Sequence, residues 1–129
     1  MPASGLRKLP VLLVDDNDSL RRALARAIRL AGHDVESFPS VEAMLAERSP
    51  AESACLVLDI DLPGLRGTEL KRRLVEAHCD IPTIFITALE ADAVEDSLAP
   101  LDPVAVLYKP FDKDVLLEAI GRVRDGDLR

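Results

Sequence analysis

Four short apolar runs limit what this chain can fold into. They cover residues 10–14, 54–59, 82–87 and 104–108, and each ends at a polar residue or directly before one. Continuous apolar runs of this length are typical of strands that are buried on both faces of a sheet. Residues 34–38 alternate polar and apolar side chains instead, which predicts a half-exposed strand at a sheet edge.

Segments with the helical spacing of apolar residues separate these strands. Asn17 or Asp18 can cap the first helix, and Gly32 suits its C-terminal end. Pro100 and the pair Asp102-Pro103 predict that the fourth helix ends early, because proline cannot donate to the helical hydrogen-bond ladder. The basic residues of the first and third helices are predicted to face outward: Arg21, Arg22, Arg26, Arg29, Lys71, Arg72 and Arg73.

Five strands that alternate with five helices predict the α/β class. The expected architecture is a doubly wound, five-stranded parallel sheet with helices on both faces. The second strand is the least apolar and fits an edge best, which favours the strand order 2-1-3-4-5. The first and third strands are then neighbours, about 4.8 Å apart.

Under this order the polar residues at the strand ends meet at one edge of the sheet. Asp15 and Asp16 follow the first strand, Asp59 ends the third, and Thr87 and Lys109 mark the ends of the fourth and fifth. Three crowded carboxylates repel one another and favour a hard divalent cation such as Mg²⁺, which prefers oxygen ligands and is often found beside phosphate. A metal ion, a lysine and a threonine together supply what phosphoryl transfer needs, namely positioning and charge neutralisation. Asp59, at the centre of the sheet, is the candidate nucleophile.

Composition narrows the function classes further. The chain has 129 residues, enough for one domain with a real core, and a net charge of −7 argues against direct nucleic-acid binding. Cys55 and Cys79 lie in different settings and are not expected to pair, which indicates a reducing compartment. No apolar stretch reaches the length of a membrane span and no signal-peptide core is present, so the expected location is the cytoplasm, away from the membrane.

The motifs at the strand ends carry a resemblance that extends from about Lys8 to Arg124. The chain resembles the receiver (CheY-like) domain of two-component response regulators. Residues 125–129 are then a polar C-terminal tail or the start of a linker. The matching motifs are Val14-Asp15-Asp16, Leu58-Asp59 with Leu62-Pro63-Gly64 and Gly67, Thr87-Ala88, and Lys109-Pro110-Phe111.

The resemblance implies a flavodoxin-like fold and a magnesium-dependent phosphoryl acceptor. Asp59 would receive a phosphoryl group from a sensor histidine kinase or a histidine phosphotransfer protein. Asp16, Asp59 and the backbone carbonyl of Asp61 would bind Mg²⁺ directly, Asp15 would act through a water molecule, and Mn²⁺ would substitute. Such a domain is not an enzyme with an external product; it phosphorylates and dephosphorylates itself only.

The resemblance also implies how a signal leaves the site. Thr87 and Lys109 would bind the phosphoryl oxygens, and the Lys109-Pro110 peptide is expected to be cis. Phosphorylation would repack the face formed by the fourth helix, the fifth strand and the fifth helix. The expected reader of that face is a downstream protein or a C-terminal effector domain outside this sequence, and a homodimer formed on phosphorylation is a further hypothesis.

One switch position departs from the family pattern. The family usually has an aromatic residue three positions before the lysine, where this chain has Val106. Tyr108 lies on the same side of the strand, since side chains alternate. We hypothesise that Tyr108 takes over part of the switching role, against the alternative of a rim tyrosine with no such role.

Two other function classes compete with this interpretation. Asp59-Ile-Asp61 resembles the first motif of haloacid-dehalogenase-like phosphatases, which makes a metal-dependent phosphohydrolase the alternative function. However, Pro63 stands where those enzymes have Thr or Val, and Asp15-Asp16 would have no role. A dinucleotide-binding domain is disfavoured, because the acidic turn after the first strand would repel a pyrophosphate.

Overall fold

The computed structural model describes residues 9–60, 66–89 and 91–124. Strands and helices alternate along this part of the chain, with short 3₁₀ turns at Pro50–Glu52 and Ala99–Leu101. The strands are β1 (Val11–Val14), β2 (Val35–Phe38), β3 (Cys55–Asp59), β4 (Thr83–Thr87) and β5 (Ala105–Tyr108). The helices are α1 (Asp18–Leu30), α2 (Val41–Glu47), α3 (Gly67–Glu76), α4 (Ala91–Leu98) and α5 (Lys113–Arg124).

The strands form one parallel sheet in the order β2-β1-β3-β4-β5, which confirms the predicted class and strand order. In the register of the sheet, Val14 lies beside Leu58 and Asp59 lies beside Ile86. Because all strands run in the same direction, their carboxyl ends share one edge. The acids that follow β1 and end β3 are therefore neighbours.

Each face of the sheet is covered by helices, and each has its own apolar cluster. One cluster contains buried side chains of α2, α3 and α4 and strand residues such as Leu58 and Phe85. The other contains α1 and α5 with alternate strand residues such as Val57 and Ile86. Val106 and Tyr108 both pack against the first cluster, so the expectation that they share one side of β5 is confirmed.

The helix ends follow the predicted chemistry. The side chain of Asn17 caps α1 by accepting a hydrogen bond from the Leu20 N–H (3.0 Å), and Gly32 has a φ of 99° just after that helix. The helix α4 ends at Leu98 and gives way to the 3₁₀ turn, so the early end is confirmed. The next residue, Asp102, has a φ of 50°.

Two basic side chains that were predicted to face outward are largely covered instead: Lys71 is buried and Arg21 is partly buried. Lys71 is only 3% exposed, and its ammonium donates a hydrogen bond to the Ile81 carbonyl (2.7 Å) at the entry to β4. The Arg21 side chain is 14% exposed and reaches back to the loop before α1. Helical spacing places the Cα atom of a residue, but a long flexible stem carries its charge to a distant polar partner. Burial lowers the pKa of Lys71, and the charges of Asp80 and Asp102 oppose that shift.

Several apolar residues in the helices or at their ends are exposed to solvent. They include Ala31, Leu45, Ala77 and Val115. The two alanines lie at or beyond helix ends, where a core-facing stripe no longer applies. Cys55 and Cys79 are both free, as predicted. Within the described residues, the helices lack the length and apolar character that a bilayer crossing demands.

Candidate functional site

Three aspartates converge at the carboxyl edge of the sheet. Asp15 directly follows β1, Asp16 comes next, and Asp59 is the last residue of β3. One oxygen from each carboxylate lies within 4.8 Å of the others. Asp15 and Asp59 are 0% and 3% exposed, whereas Asp16 is open to solvent. The cluster therefore has two buried acids and one acid, Asp16, that is exposed to water.

Lys109 joins the two buried acids. Its Nζ donates a hydrogen bond to Oδ2 of Asp59 (2.9 Å) and forms an ion pair with Oδ2 of Asp15 (3.3 Å). The other oxygen of Asp15 accepts a hydrogen bond from the Asn17 N–H (2.8 Å). Among the described residues, the Asp15 Oδ2 atom has the ion pair with Lys109 and no hydrogen-bond donor. Lys109 thus pairs directly with both buried acids of the cluster.

The surroundings shift the pKa values of this group in opposite ways. Burial raises the pKa of Asp15, and the Asp59 charge adds to that rise, while the Asn17 N–H and Lys109 oppose it. Burial by itself would lower the pKa of Lys109, but the hydrogen bond to Asp59 and the charges of both acids raise it above its ordinary value. The lysine therefore remains protonated at neutral pH, whereas burial disfavours the charged form of Asp15.

Thr87 ends the neighbouring strand and is fully buried. Its hydroxyl oxygen accepts a hydrogen bond from the Leu89 N–H (2.9 Å), which leaves the hydroxyl hydrogen unused by that bond. Its carbonyl accepts a hydrogen bond from the Lys109 N–H (2.7 Å), so β4 and the end of β5 are tied together at the site. The Lys109-Pro110 peptide is cis, as expected.

Comparisons with known proteins identify the family of this chain. The sequence model of the response regulator receiver domain matches residues 11–121. The chain belongs to the response regulator receiver family. Nodulation protein W of Bradyrhizobium diazoefficiens is 35% identical over 120 residues, which cover 93% of this chain and 53% of that protein. The response regulator receiver protein CpdR of Brucella abortus is 34% identical over 114 residues, or 88% of this chain and 94% of CpdR.

A solved structure supports the same assignment. The crystal structure of FixJ-N superposes with a TM-score of 0.79 at 30% identity, over 96% of this chain and 99% of that one. The chain spans about half the length of Nodulation protein W (53%) and of the transcriptional regulatory protein FixJ from Rhizobium meliloti (56%). It is a receiver domain of the two-component class.

Gly67 lets α3 begin against the acidic end of β3 in this receiver domain. A Cβ atom at this position would lie 2.9 Å from Cβ of Leu58 and 3.1 Å from the carbonyl oxygen of Asp59. Real Cβ atoms do not approach other atoms so closely, so a side chain here would displace the strand or the helix. The glycine therefore sets how near the helix lies to Asp59.

The remaining predicted site residues lie elsewhere. Asp61, predicted to supply a carbonyl ligand, and the Leu62-Pro63-Gly64 motif fall outside the described residues. Val106 and Tyr108 lie on β5, one strand beyond Thr87, which is the register partner of Tyr108. Burial raises the pKa of Tyr108 and the nearby Glu95 charge adds to the rise, so the tyrosine lies close to α4.

The prediction from sequence missed one residue at the edge of this receiver site. Arg21 donates a hydrogen bond from Nη1 to the carbonyl oxygen of Asp15 (2.8 Å) and one from Nη2 to Oδ1 of Asp18 (2.7 Å). Helical periodicity grouped it with the exposed arginines of α1. Its position three residues after Asp18, at the start of a helix that follows two acids, was the available signal.

Proposed function

We propose that this receiver domain accepts a phosphoryl group on Asp59 and passes the signal on through a change in its surface. The observation that carries the proposal is the contact of Lys109 with both buried acids, Asp59 (2.9 Å) and Asp15 (3.3 Å). A carboxylate oxygen of Asp59 attacks phosphorus, the donor group leaves, and an aspartyl phosphate forms. Thr87 and Lys109 are positioned at the same sheet edge to donate hydrogen bonds to the new phosphoryl oxygens.

The residues present fit a hard divalent cation. All three acids offer oxygen ligands, and the buried Asp15 Oδ2 atom has the Lys109 ion pair but no hydrogen bond within the part of the chain that the structure describes. We assign Mg²⁺, with Mn²⁺ as a substitute, to Asp16, Asp59 and the Asp61 carbonyl, with Asp15 acting through water. When bound, the ion supplies positive charge for the oxygens of the incoming phosphoryl group. The domain as assigned covers residues 8–124, with residues 125–129 as a tail or linker.

The proposed donor is a sensor histidine kinase or a histidine phosphotransfer protein.

Phosphorylation would draw Thr87 toward the phosphoryl group and repack α4, β5 and α5. This is the surface that a downstream protein, an effector domain or a second copy would bind. Val106 stands where the family usually has an aromatic residue, and in this proposal Tyr108 takes over part of the reporting role because it packs against the apolar cluster that includes α4 side chains. If Tyr108→Ala kept the phosphorylation dependence of a pull-down partner unchanged, Tyr108 would have no part in the switch.

A small phosphodonor tests the acceptor directly. Incubation with acetyl phosphate and Mg²⁺ is expected to add one phosphoryl group, measured as a single mass increment in intact-protein mass spectrometry. Asp59→Ala should abolish the increment, and Asp96→Asn, at an exposed acid on α4, should keep it. An increment that persists in Asp59→Ala would place the acceptor elsewhere.

The alternative function, a metal-dependent phosphohydrolase of the haloacid-dehalogenase type, gains no support from the family match or the relatives. The same preparation distinguishes it. We expect no turnover of p-nitrophenyl phosphate, because the proposed chemistry ends on the protein. Sustained release of p-nitrophenol that depends on Asp59 would favour the phosphohydrolase.

A further inference from the structure

The turn that carries two of the three site acids has a support of its own. Residues 15–17 connect β1 to α1, and Asp15 lies beside the like charge of Asp59. Backbone hydrogen bonds hold the two ends of this turn, from the Asp15 N–H to the Phe38 carbonyl (3.2 Å) and from the Arg21 N–H to the Asn17 carbonyl (2.8 Å). Repulsion between the acids acts to open a turn of this kind unless further contacts oppose it.

Arg21 provides that further contact. Its guanidinium donates from Nη1 to the Asp15 carbonyl oxygen (2.8 Å), which fixes the peptide that joins Asp15 to Asp16. The bond from Nη2 to Asp18 (2.7 Å) holds the fork in place from the solvent side, since Asp18 is 64% exposed and Arg21 only 14%. A planar fork with two fixed bonds positions a carbonyl more firmly than a single rotatable donor does.

Other arginines of the same helix do not share this arrangement. Arg22 and Arg26 are exposed on α1, although they carry the same side chain and are separated from Arg21 by only one and five positions. The contact with Asp15 is therefore a feature of one position and is not a general property of a basic helix. The carbonyl that it holds belongs to the residue directly before Asp16, the exposed acid of the cluster.

We propose that Arg21 is a positioning residue for the metal site: it fixes the Asp15–Asp16 peptide so that both carboxylates face Asp59. Arg21 touches neither the metal ion nor the phosphoryl group in this scheme. The inference rests on the proposed function, because it assumes that these acids bind a divalent cation. Partners that orient metal ligands without contacting the ion commonly contribute about 10-fold to 100-fold in metal affinity.

The test is the Mg²⁺ affinity of matched variants, measured by calorimetric titration of the full chain. Arg21→Gln keeps a polar stem but removes the charged fork, and we expect its affinity to fall about tenfold. Arg21→Lys retains one charged donor and should lose about threefold. Arg22→Gln is the control and should stay within about twofold of wild type, because its side chain is exposed.

A second measurement separates positioning from a purely structural role. Phosphorylation of Arg21→Gln by acetyl phosphate should be slow at low Mg²⁺ and approach the wild-type rate when Mg²⁺ is saturating. Circular dichroism without metal verifies folding, and if Arg21→Gln is unfolded, Arg21→Lys provides the affinity measurement.

The outcomes separate the two proposals. Folded Arg21 variants that bind Mg²⁺ as tightly as wild type would overturn the role of Arg21 and leave the phosphoryl acceptor intact. A wild-type protein that binds no Mg²⁺ would remove the metal site and the role of Arg21 together.

Discussion

At the scale of single residues, the site contains a buried carboxyl group, Asp15, whose ionisation lowers folding stability. Asp15 is fully buried, its Oδ2 atom forms an ion pair with Lys109, and burial together with the Asp59 charge raises its pKa. A buried acid with a raised pKa stabilises the folded state less when ionised than when protonated. The burial of Asp15 therefore lowers folding stability, but it contributes to a cluster of oxygens of the kind that a cation can bind.

Asp15→Asn should stabilise the metal-free protein at neutral pH by about 1 kcal/mol, because the uncharged amide keeps the acceptor for the Asn17 N–H and loses the repulsion from Asp59. The sign of the pH dependence follows from the raised pKa. The contribution of Asp15 to the stability of the wild type is fully present below the ordinary value of 3.8 and is lost as pH rises through the folded-state pKa. The stability advantage of Asp15→Asn over the wild type should therefore grow as pH rises through the folded-state pKa of Asp15.

Urea unfolding in the presence of a chelator, repeated from acid to neutral pH, measures this advantage. Asp96→Asn, at an exposed position on α4, is the control and should show no such trend. A difference in free energy of unfolding between Asp15→Asn and wild type that stays constant with pH would contradict the expectation.

Residues at strand ends were predictable from sequence because a parallel sheet fixes where its strands end. Asp15, Asp59 and Lys109 needed only the strand order to be brought together, and the observed contacts of 2.9 and 3.3 Å agree with that expectation. Long basic side chains were not predictable, because the reach of Lys71 to the Ile81 carbonyl and of Arg21 to the Asp15 carbonyl depends on helix docking. Hydrophobic periodicity predicts which face of a helix a residue occupies, but it does not predict where the charged end of a long side chain lies.

At the scale of elements, the docking of α3 onto β3 determines how closely a helix approaches Asp59. The contact at Gly67 allows no Cβ atom, since Leu58 and the Asp59 carbonyl lie at 2.9 and 3.1 Å from its ideal position. Both neighbours belong to a central strand of the sheet and are buried, so neither can move away cheaply. The sequence places Gly67 in the family motif that follows Asp59, but it does not indicate that this close approach requires glycine.

Gly67→Ala should lower the free energy of unfolding by about 1–3 kcal/mol, the usual cost of overpacking a tight contact. Gly121 in α5 offers a matched control, because no atom of the described residues lies within 4 Å of a Cβ atom built there. Gly121→Ala should instead raise stability by about 0.5–1 kcal/mol, since alanine favours the helix over glycine. Equal effects of the two substitutions in urea unfolding would show that helix propensity, and not the approach to β3, governs Gly67.

At the scale of the whole molecule, the net charge is negative, and three aspartates come together at one edge of the sheet. The net charge is −7, and the carboxyl edge of the sheet holds the one group of carboxylates in the described residues whose oxygens come close enough to share an ion. Repulsion between carboxylates spread over the surface is screened by any salt. Carboxylate oxygens within 4.8 Å of one another instead favour a divalent ion that they can coordinate together. Divalent and monovalent salts should therefore affect folding differently.

Mg²⁺ should stabilise the chain by more than NaCl of equal ionic strength does. An ion that binds only the folded state at about 100 times its Kd contributes about 2.7 kcal/mol, which raises the Tm by several degrees in a domain of this size. Asp16 is exposed, so Asp16→Asn should leave the metal-free Tm nearly unchanged while it removes most of the Mg²⁺ increment. Calorimetric melts of both proteins in chelator, NaCl and MgCl₂ measure the two effects separately. Equal Tm values in the two salts would mean that charge screening alone accounts for the stabilisation, because a specific site must distinguish Mg²⁺ from Na⁺.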